Sequence, residues 1–290
     1  NQQLLSYNKT FGLHTVGVMV GHETSDYSNK MLSGTKTNIV IPGEIFLSNG
    51  SKYSALNGYE DLYKVEGFLS KVNYNYSNKY YVNGSFRRDG SSVFHPDHRW
   101  GNFYGLGGAW IASNEDFLSD VEVISNLKIK ASYGEQGNDN LFYPGYVSME
   151  HRSHFGYGRN YTPYMDQYEI TADAEGNPSI TQVYTGTKDL KWEVSRNFNA
   201  GFEIALFDNR LNVDFEFFNR KVSDMLFNFP QAPSSGIPAI SQNIGDMKNT
   251  GFEVAISGDV IRTADWNLNL WANATHYKNK ITRLPQPFVT

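Results

Sequence analysis

The chain of 290 residues has no cysteine, so disulfides do not organise it; the absence suits an oxidising compartment without disulfides and the cytosol equally. It also lacks long apolar runs. No segment approaches the roughly 18 apolar residues of a membrane-spanning helix, and the mean hydropathy of −0.49 excludes a helical membrane protein. Basic excess is missing too: the net charge is −5, and lysines and arginines sit singly, which argues against a nucleic-acid partner. The opening NQQLLSYNKTFG shows no initiator Met, no basic n-region and no apolar signal segment, and the last residues, NKITRLPQPFVT, follow directly on a strand. There is no low-complexity tract, and no repeat beyond a hairpin rhythm.

What the chain has is aromatics and alternation. Aromatic residues make up 15% (19 Tyr, 19 Phe, 5 Trp), beside 26 Gly. Tyr80, Val82, Gly84 and Phe86 fall on one side of a strand, and Asn83, Ser85, Arg87 and Asp89 on the other, because alternate residues of a strand face opposite ways. The pattern recurs. Phe68, Val72, Tyr74 and Tyr76 oppose Lys71, Asn73 and Asn75; Leu127, Ile129, Ala131 and Tyr133 oppose Lys128, Lys130 and Ser132. Phe198, Ala200, Phe202 and Ile204 oppose Asn197, Asn199 and Glu203; Leu211, Val213, Phe215 and Phe217 oppose Asn212, Asp214 and Glu216. Trp266, Leu268, Leu270 and Ala272 oppose Asn267, Asn269 and Asn273.

Such strands suit a one-sided sheet on a dry core or a transmembrane barrel with a wet interior. Length separates the two. Arg196 to Phe207 and Arg210 to Val222 keep the alternation over the 9–11 residues or so that a spanning strand needs, longer than the roughly 5–6 of soluble strands. The fold class expected is therefore all-β, an antiparallel transmembrane β-barrel with aromatic girdles. Short turns are read at Ser77-Asn78-Lys79, 207–210 and 262–265, and long outer connections at 22–61, 89–99, 135–190 and 223–250. Ser113-Asn114-Glu115-Asp116, a cap with an acid three positions on, predicts a turn or two of helix at the inner face. About nine strands result, an odd number that leaves two raw edges, which lipid does not tolerate; residues 1–290 read as one part of a larger barrel.

Five phrases carry a resemblance: FRRDGSSVF (86–94), RWGNFYGLGGAWIASNEDF (99–117), LKIKASYGEQGN (127–138), DLKWEVSRNFNAGFEIALFDNRL (189–211) and NIGDMKNTGFEVAISG (243–258). In this order and spacing the sequence resembles the SusC/RagA-like TonB-dependent outer-membrane transporters over most of residues 62 to 282. The resemblance implies a barrel of about 22 strands filled by an N-terminal plug, located in the outer membrane of a Gram-negative bacterium. It implies import of large nutrients, oligosaccharide or peptide, with energy from TonB and a SusD-like surface lipoprotein as lid. Plug, TonB box and final strands are absent from residues 1–290.

Chemistry-bearing residues are sparse, and no catalytic group, cofactor or metal ligand is assigned. His95/His98 and His151/His154 have a spacing that can chelate on a turn, but without Cys or clustered acids they read as solvated loop histidines. Asp89-Gly90-Ser91-Ser92 lacks the alternating acids of a calcium loop and reads as a tight turn. Arg87 and Asp89 are expected to pair inside the wall. Glu203, Asp214 and Glu216 resemble paired glycosidase carboxylates but fall on lumen faces beside Asn, Lys and Arg, as a wet interior requires. Gly105, Gly107 and Gly108 read as places of close approach, with the plug as partner. The sequons at Asn83 and Asn273 lie inside strands and read as chance. The ligand candidates are loop aromatics: Tyr143, Tyr146, Phe155, Tyr157, Tyr161, Tyr164 and Tyr168, whose apolar faces and hydroxyls suit sugars or peptides. The rival readings are a soluble secreted β-sandwich that binds carbohydrate, with short strands and polar outward residues, and a non-transporting barrel acting as an envelope scaffold.

Overall fold

The computed structural model describes residues 1–142, 159–172 and 176–284. Ten long strands form one antiparallel sheet: β1 (Gln2–Phe11), β2 (His14–Ile39), β3 (Gly50–Tyr76), β4 (Tyr80–Ser91), β5 (Trp100–Ile111), β6 (Ile124–Asn138), then β9 (Glu193–Leu206), β10 (Leu211–Ser223), β13 (Asp246–Arg262) and β14 (Asn267–Arg283). Two short hairpins, β7 (Gln167–Ala172) with β8 (Pro178–Tyr184) and β11 (Leu226–Pro230) with β12 (Ala239–Asn243), sit in the connections 139–192 and 224–245. The sheet is a barrel wall that does not close on itself: β1 and β14 end it.

Tight turns at one end set the register. Gly12 lies at φ 59°, Ser77 and Asn78 at 54° and 53°, and Phe207, Asp208 and Asn209 at 55°, 55° and 62°. Left-handed residues match a short turn to the twist of the paired strands. Two aromatic rings then bound the wall. Near the turns, the Phe11 and His14 rings are 5.6 Å apart, Tyr76 and Tyr80 6.3 Å, and Trp110 and Phe117 6.4 Å, while His14 Nδ1 meets the Tyr74 hydroxyl at 2.7 Å. At the other end His22 stacks on Phe68 at 4.8 Å, Phe68 meets Trp100 at 6.2 Å, and the Arg88 guanidinium lies 5.1 Å over Trp100. From Trp110 to Trp100 is about 33 Å along the strand at ~3.3 Å per residue; a tilt of ~40° makes that about 25 Å of height, the apolar band of an outer-membrane barrel. Between the rings the outward residues are bare, with Leu106 61% and Leu270 55% exposed. The soluble sandwich, which requires short strands and polar outward positions, is contradicted by both features.

Other expectations are corrected. Fourteen strands are present among the described residues, not about nine. The stretch 22–61 is not an open loop. β2 and β3 pair through it to Ile39↔Gly50, leaving a tip of 40–49; its Ser, Asn and Gly residues hide the alternation. At 112–118 there are two 3-10 turns rather than α-helix, and the cap is not made. Ser113 Oγ donates to Asn126 Oδ1 at 3.3 Å, and the neighbouring Glu115 accepts from Trp110 Nε1 (3.0 Å) and Lys79 Nζ (3.0 Å), bonds that tie the rim together.

The main buried cluster lies in the connections, while the wall strands bury only scattered residues such as Phe103 and Val222. Within the outer connection 89–99, the chain turns inward so that Val93, Phe94, Leu141 and Leu190 are at most 3% exposed, with Trp192 and Tyr63 packed against them. A polar knot holds the same place. Asp139, 8% exposed, accepts from Ser91 Oγ and from the Tyr63 hydroxyl (3.0 Å) and pairs with Arg159. A buried carboxylate persists only when paired and hydrogen-bonded in this way. The connections thereby form one packed mouth layer.

Two outcomes are expected. Leu190→Ala costs the mouth about 2–5 kcal/mol, read as faster protease cleavage between residues 139 and 192 in the intact protein; an unchanged rate contradicts the packing. Hydrogen bonds from Tyr80, Trp110 and Lys79 hold the Glu115 carboxyl at about 2. A depressed carboxylate stabilises fully above its unfolded value and loses that contribution as pH falls through the folded one. The melting-temperature difference between the native protein and Glu115→Gln is therefore constant above about pH 5 and vanishes towards pH 2; a flat difference over that range contradicts the bonding.

Candidate ligand mouth and lumen wall

Register carries the inward face across the sheet. Glu23 of β2 opposes Gly67 of β3, which opposes Asp89 of β4. Arg87 Nε donates to Asp89 at 2.9 and 3.0 Å, and Nη2 to Glu23 at 3.0 Å. Gly67 makes room for this triad: a Cβ there would lie 2.4 Å from Asp89 Oδ1 and 2.9 Å from Arg87 Nη2. The pairing expected of Arg87 and Asp89 is present, with Glu23 as an added partner.

Towards the turn end a second cluster spans four strands. Lys128 Nζ meets Glu203 at 3.2 Å; Lys130 Nζ meets Glu203 at 2.9 Å, Asp214 at 3.2 Å and Glu216 at 3.6 Å. Glu253 of β13 stands opposite Glu216, so acids outnumber lysines on this patch. The arrangement is an ion-pair ladder in which Glu203 serves both lysines and Lys130 serves three acids, and no group of three or more His, Asp or Glu side chains suited to a metal occurs among the described residues. Gly105 and Gly107 also face inward, and the close approach there comes from Ser85 and Asn83 of β4, whose side-chain atoms lie 2.5 and 2.9 Å from where a Cβ would sit. Gly108 faces outward.

At the mouth the described ligand candidates divide. Tyr161 stacks on Tyr27 at 6.0 Å and lies 5.8 Å from Tyr63, with the Arg159 guanidinium 4.1 Å over Tyr63. Tyr164 meets His95 edge-on at 5.8 Å, and Tyr168 stands apart on β7, exposed. Tyr143, Tyr146, Phe155 and Tyr157 lie outside the described residues, as do His151 and His154. His95 and His98 turn to different carboxylates, Asp97 at 3.3 Å and Asp189 at 3.7 Å. Beside the Tyr27–Tyr161 stack, Asn29 Nδ2 reaches Asp61 Oδ2 at 3.5 Å, and burial pushes both the Asp61 carboxyl and the Tyr161 phenol up. Rings with adjoining amide and carboxyl groups can stack on a ligand and fix its orientation. Tyr27 and Asp61 were missed in the sequence because 22–61 read as loop, and Tyr63 because the strand was read only from Phe68; the alternation of Asp61, Tyr63 and Val65 was the available signal.

The two hairpins are bolted into the same layer. The Tyr184 hydroxyl donates to Ser241 Oγ at 2.6 Å and Ser241 to Asn228 at 2.7 Å. Burial pushes the Tyr184 phenol up to about 12.

Comparison with known proteins agrees with this architecture. Residues 2–289 match the family model described as TonB dependent receptor-like, beta-barrel. TonB-dependent receptor P3 of Formosa agariphila is 30% identical over 98% of this chain and 27% of its own length. TonB-dependent receptor SusC of Bacteroides thetaiotaomicron is 27% identical over 97% of this chain and 27% of its own length. A structure of the RagAB peptide transporter superposes with a TM-score of 0.85 at 26% identity, covering 98% of this chain and 30% of that one. The chain thus spans 26–27% of the length of these curated relatives. With an inward ionic wall, outward aromatic rings and a match over nearly its whole length, the chain belongs to the TonB-dependent receptor-like β-barrel family, a family of receptors and transporters.

Proposed function

We propose that residues 1–290 are one arc of the wall and mouth of an outer-membrane importer of large nutrients, oligosaccharide or peptide, in a Gram-negative bacterium. The observation that carries the reading is the superposition on the RagAB peptide transporter over almost the entire chain. The unpaired edges of β1 and β14 need further strands, since an open edge is not viable in lipid; those strands and a plug reached by TonB belong to segments outside this range. A SusD-like lipoprotein closes over the mouth layer, ligand rests on the Tyr27–Tyr161 shelf, and the ionic lumen wall offers water-filled passage once the plug moves. A non-transporting scaffold would share the wall but not the uptake.

The test is uptake of labelled oligosaccharide and labelled peptide pools by cells carrying or lacking the full-length protein, with and without a membrane potential. Energy-dependent uptake of one pool is expected; none of either overturns transport and leaves the scaffold. Tyr161→Ala and Tyr27→Ala are each expected to raise the half-saturating concentration about 2- to 10-fold, the loss of one aromatic contact of ~0.5–1.5 kcal/mol, with the maximal rate kept. An unchanged half-saturation removes the shelf from the ligand path.

A further inference from the structure

The outward face of β4, β5 and β6 is not uniform. Between its large residues lies a trough of about 570 Å³. Its floor is Val82, Gly108 and Ala131, held in one row by the pairings Val82↔Gly108 and Gly108↔Ala131. Trp110 and Ile129 bound it on the side of the tight turns, and Leu106 and Tyr133 on the other. We propose that this trough seats one acyl chain of a phospholipid from the periplasmic leaflet, which makes it a fixed lipid site on the barrel wall. The proposal rests on the outer-membrane reading above.

Three observations carry it. The first is that nothing in the protein requires the space. A Cβ at Gly108 would meet only the Tyr81 carbonyl oxygen, at 3.7 Å, whereas at Gly105 and Gly107 side chains of β4 fill the position. The sheet would accept a larger residue at 108, and the hollow lies on the side facing lipid. The second is chemistry. Leu106 is 61% and Ile129 45% exposed, and the outward side chains around the hollow are aliphatic or aromatic; Lys130, which also borders it, turns its ammonium to Glu203, Asp214 and Glu216 on the inward face. That suits a hydrocarbon chain. The third is depth. Gly108 is two residues above Trp110 on β5, about 5 Å above the turn-side ring at ~3.3 Å per residue and a tilt of ~40°. Below it Trp110 Nε1 and the Lys79 ammonium meet on Glu115, a polar rim at headgroup level. The face is continuous with the membrane-contacting band, and its depth selects the periplasmic leaflet over lipid A of the outer one.

The test uses the full-length protein extracted from outer membranes in mild detergent, exchanged extensively, with retained lipid identified by mass spectrometry. Folding is checked by faster migration of the unboiled sample on a denaturing gel. Phospholipid is expected to be retained by the native protein and by Ala274→Leu, an outward change on β14 away from the trough. It is expected to be lost in Gly108→Leu, which fills the floor. Equal retention in Gly108→Leu with the unboiled shift intact overturns the site, as does retained lipid A in place of phospholipid. A native protein recovered in the soluble fraction with no gel shift overturns the membrane reading beneath it, and is told apart from failure of the site by that shift.

Discussion

Backbone pairing without water is the constraint on which this structure depends. In hydrocarbon an unpaired amide or carbonyl costs several kcal/mol, so each membrane-crossing segment must be flanked by partners along its full width. Long strands follow from that, and so does the strict alternation, because a single strand then separates lipid from water. One residue of slip would expose Lys130, Glu203 and Asp214 to the bilayer. The turns at 12–13, 77–79 and 207–210, with their left-handed residues, prevent such a slip by fixing register at one end. The wall needs little core of its own. Its inward charges neutralise one another across strands, as Arg87 does with Asp89 and Glu23, and Lys130 with three acids.

The mouth obeys a different rule. Beyond the upper aromatic ring water is available to the backbone, and order comes from side-chain burial around Phe94 and Leu190 and from the carboxylate of Asp139. Distant segments meet there: Ser91 from the end of β4, Tyr63 from β3, and Arg159 from the long connection. The layer is a small globular core built upon a membrane wall, and the rings of Tyr27 and Tyr161 are placed by it.

Most of the wall was legible in the sequence because its period of two is imposed by the two solvents, and segments such as 196–206 and 211–222 show it without interruption. The hairpin above the ring was not. Between Ser28 and Ser54 both faces meet water, so polar and small residues occupy either side and no alternation is demanded. The mouth core was illegible for another reason. Val93 and Phe94 are only two adjacent apolar residues in a loop, and their burial depends on Leu141 and Leu190, about 50 and 100 positions away. The expected capping box of Ser113 and Asp116 failed because Ser113 donates to Asn126 and Asp116 turns to Lys79, partners in space that local spacing cannot show. Of the aromatic candidates, Tyr161 was named from composition, but its partner Tyr27 lay in the stretch read as loop and Tyr63 just beyond it.

The β2–β3 hairpin has a mechanical consequence. Pairing with β1 stops at Glu23 and with β4 at Val65, yet the two strands stay paired to Ile39 and Gly50, about 50 Å of ribbon at ~3.3 Å per residue. A two-stranded ribbon without flanking strands is only marginally stiff. It is clamped at its root by the sheet and, among the described residues, propped on the flank where Tyr27 and Tyr63 meet Tyr161. Such a beam bends above its prop and not below it. Its tip, with Ile45 92% exposed, therefore sweeps an arc whose pivot is the aromatic contact, so displacement of that contact by a bound molecule would change the ribbon's free length and the volume its tip explores.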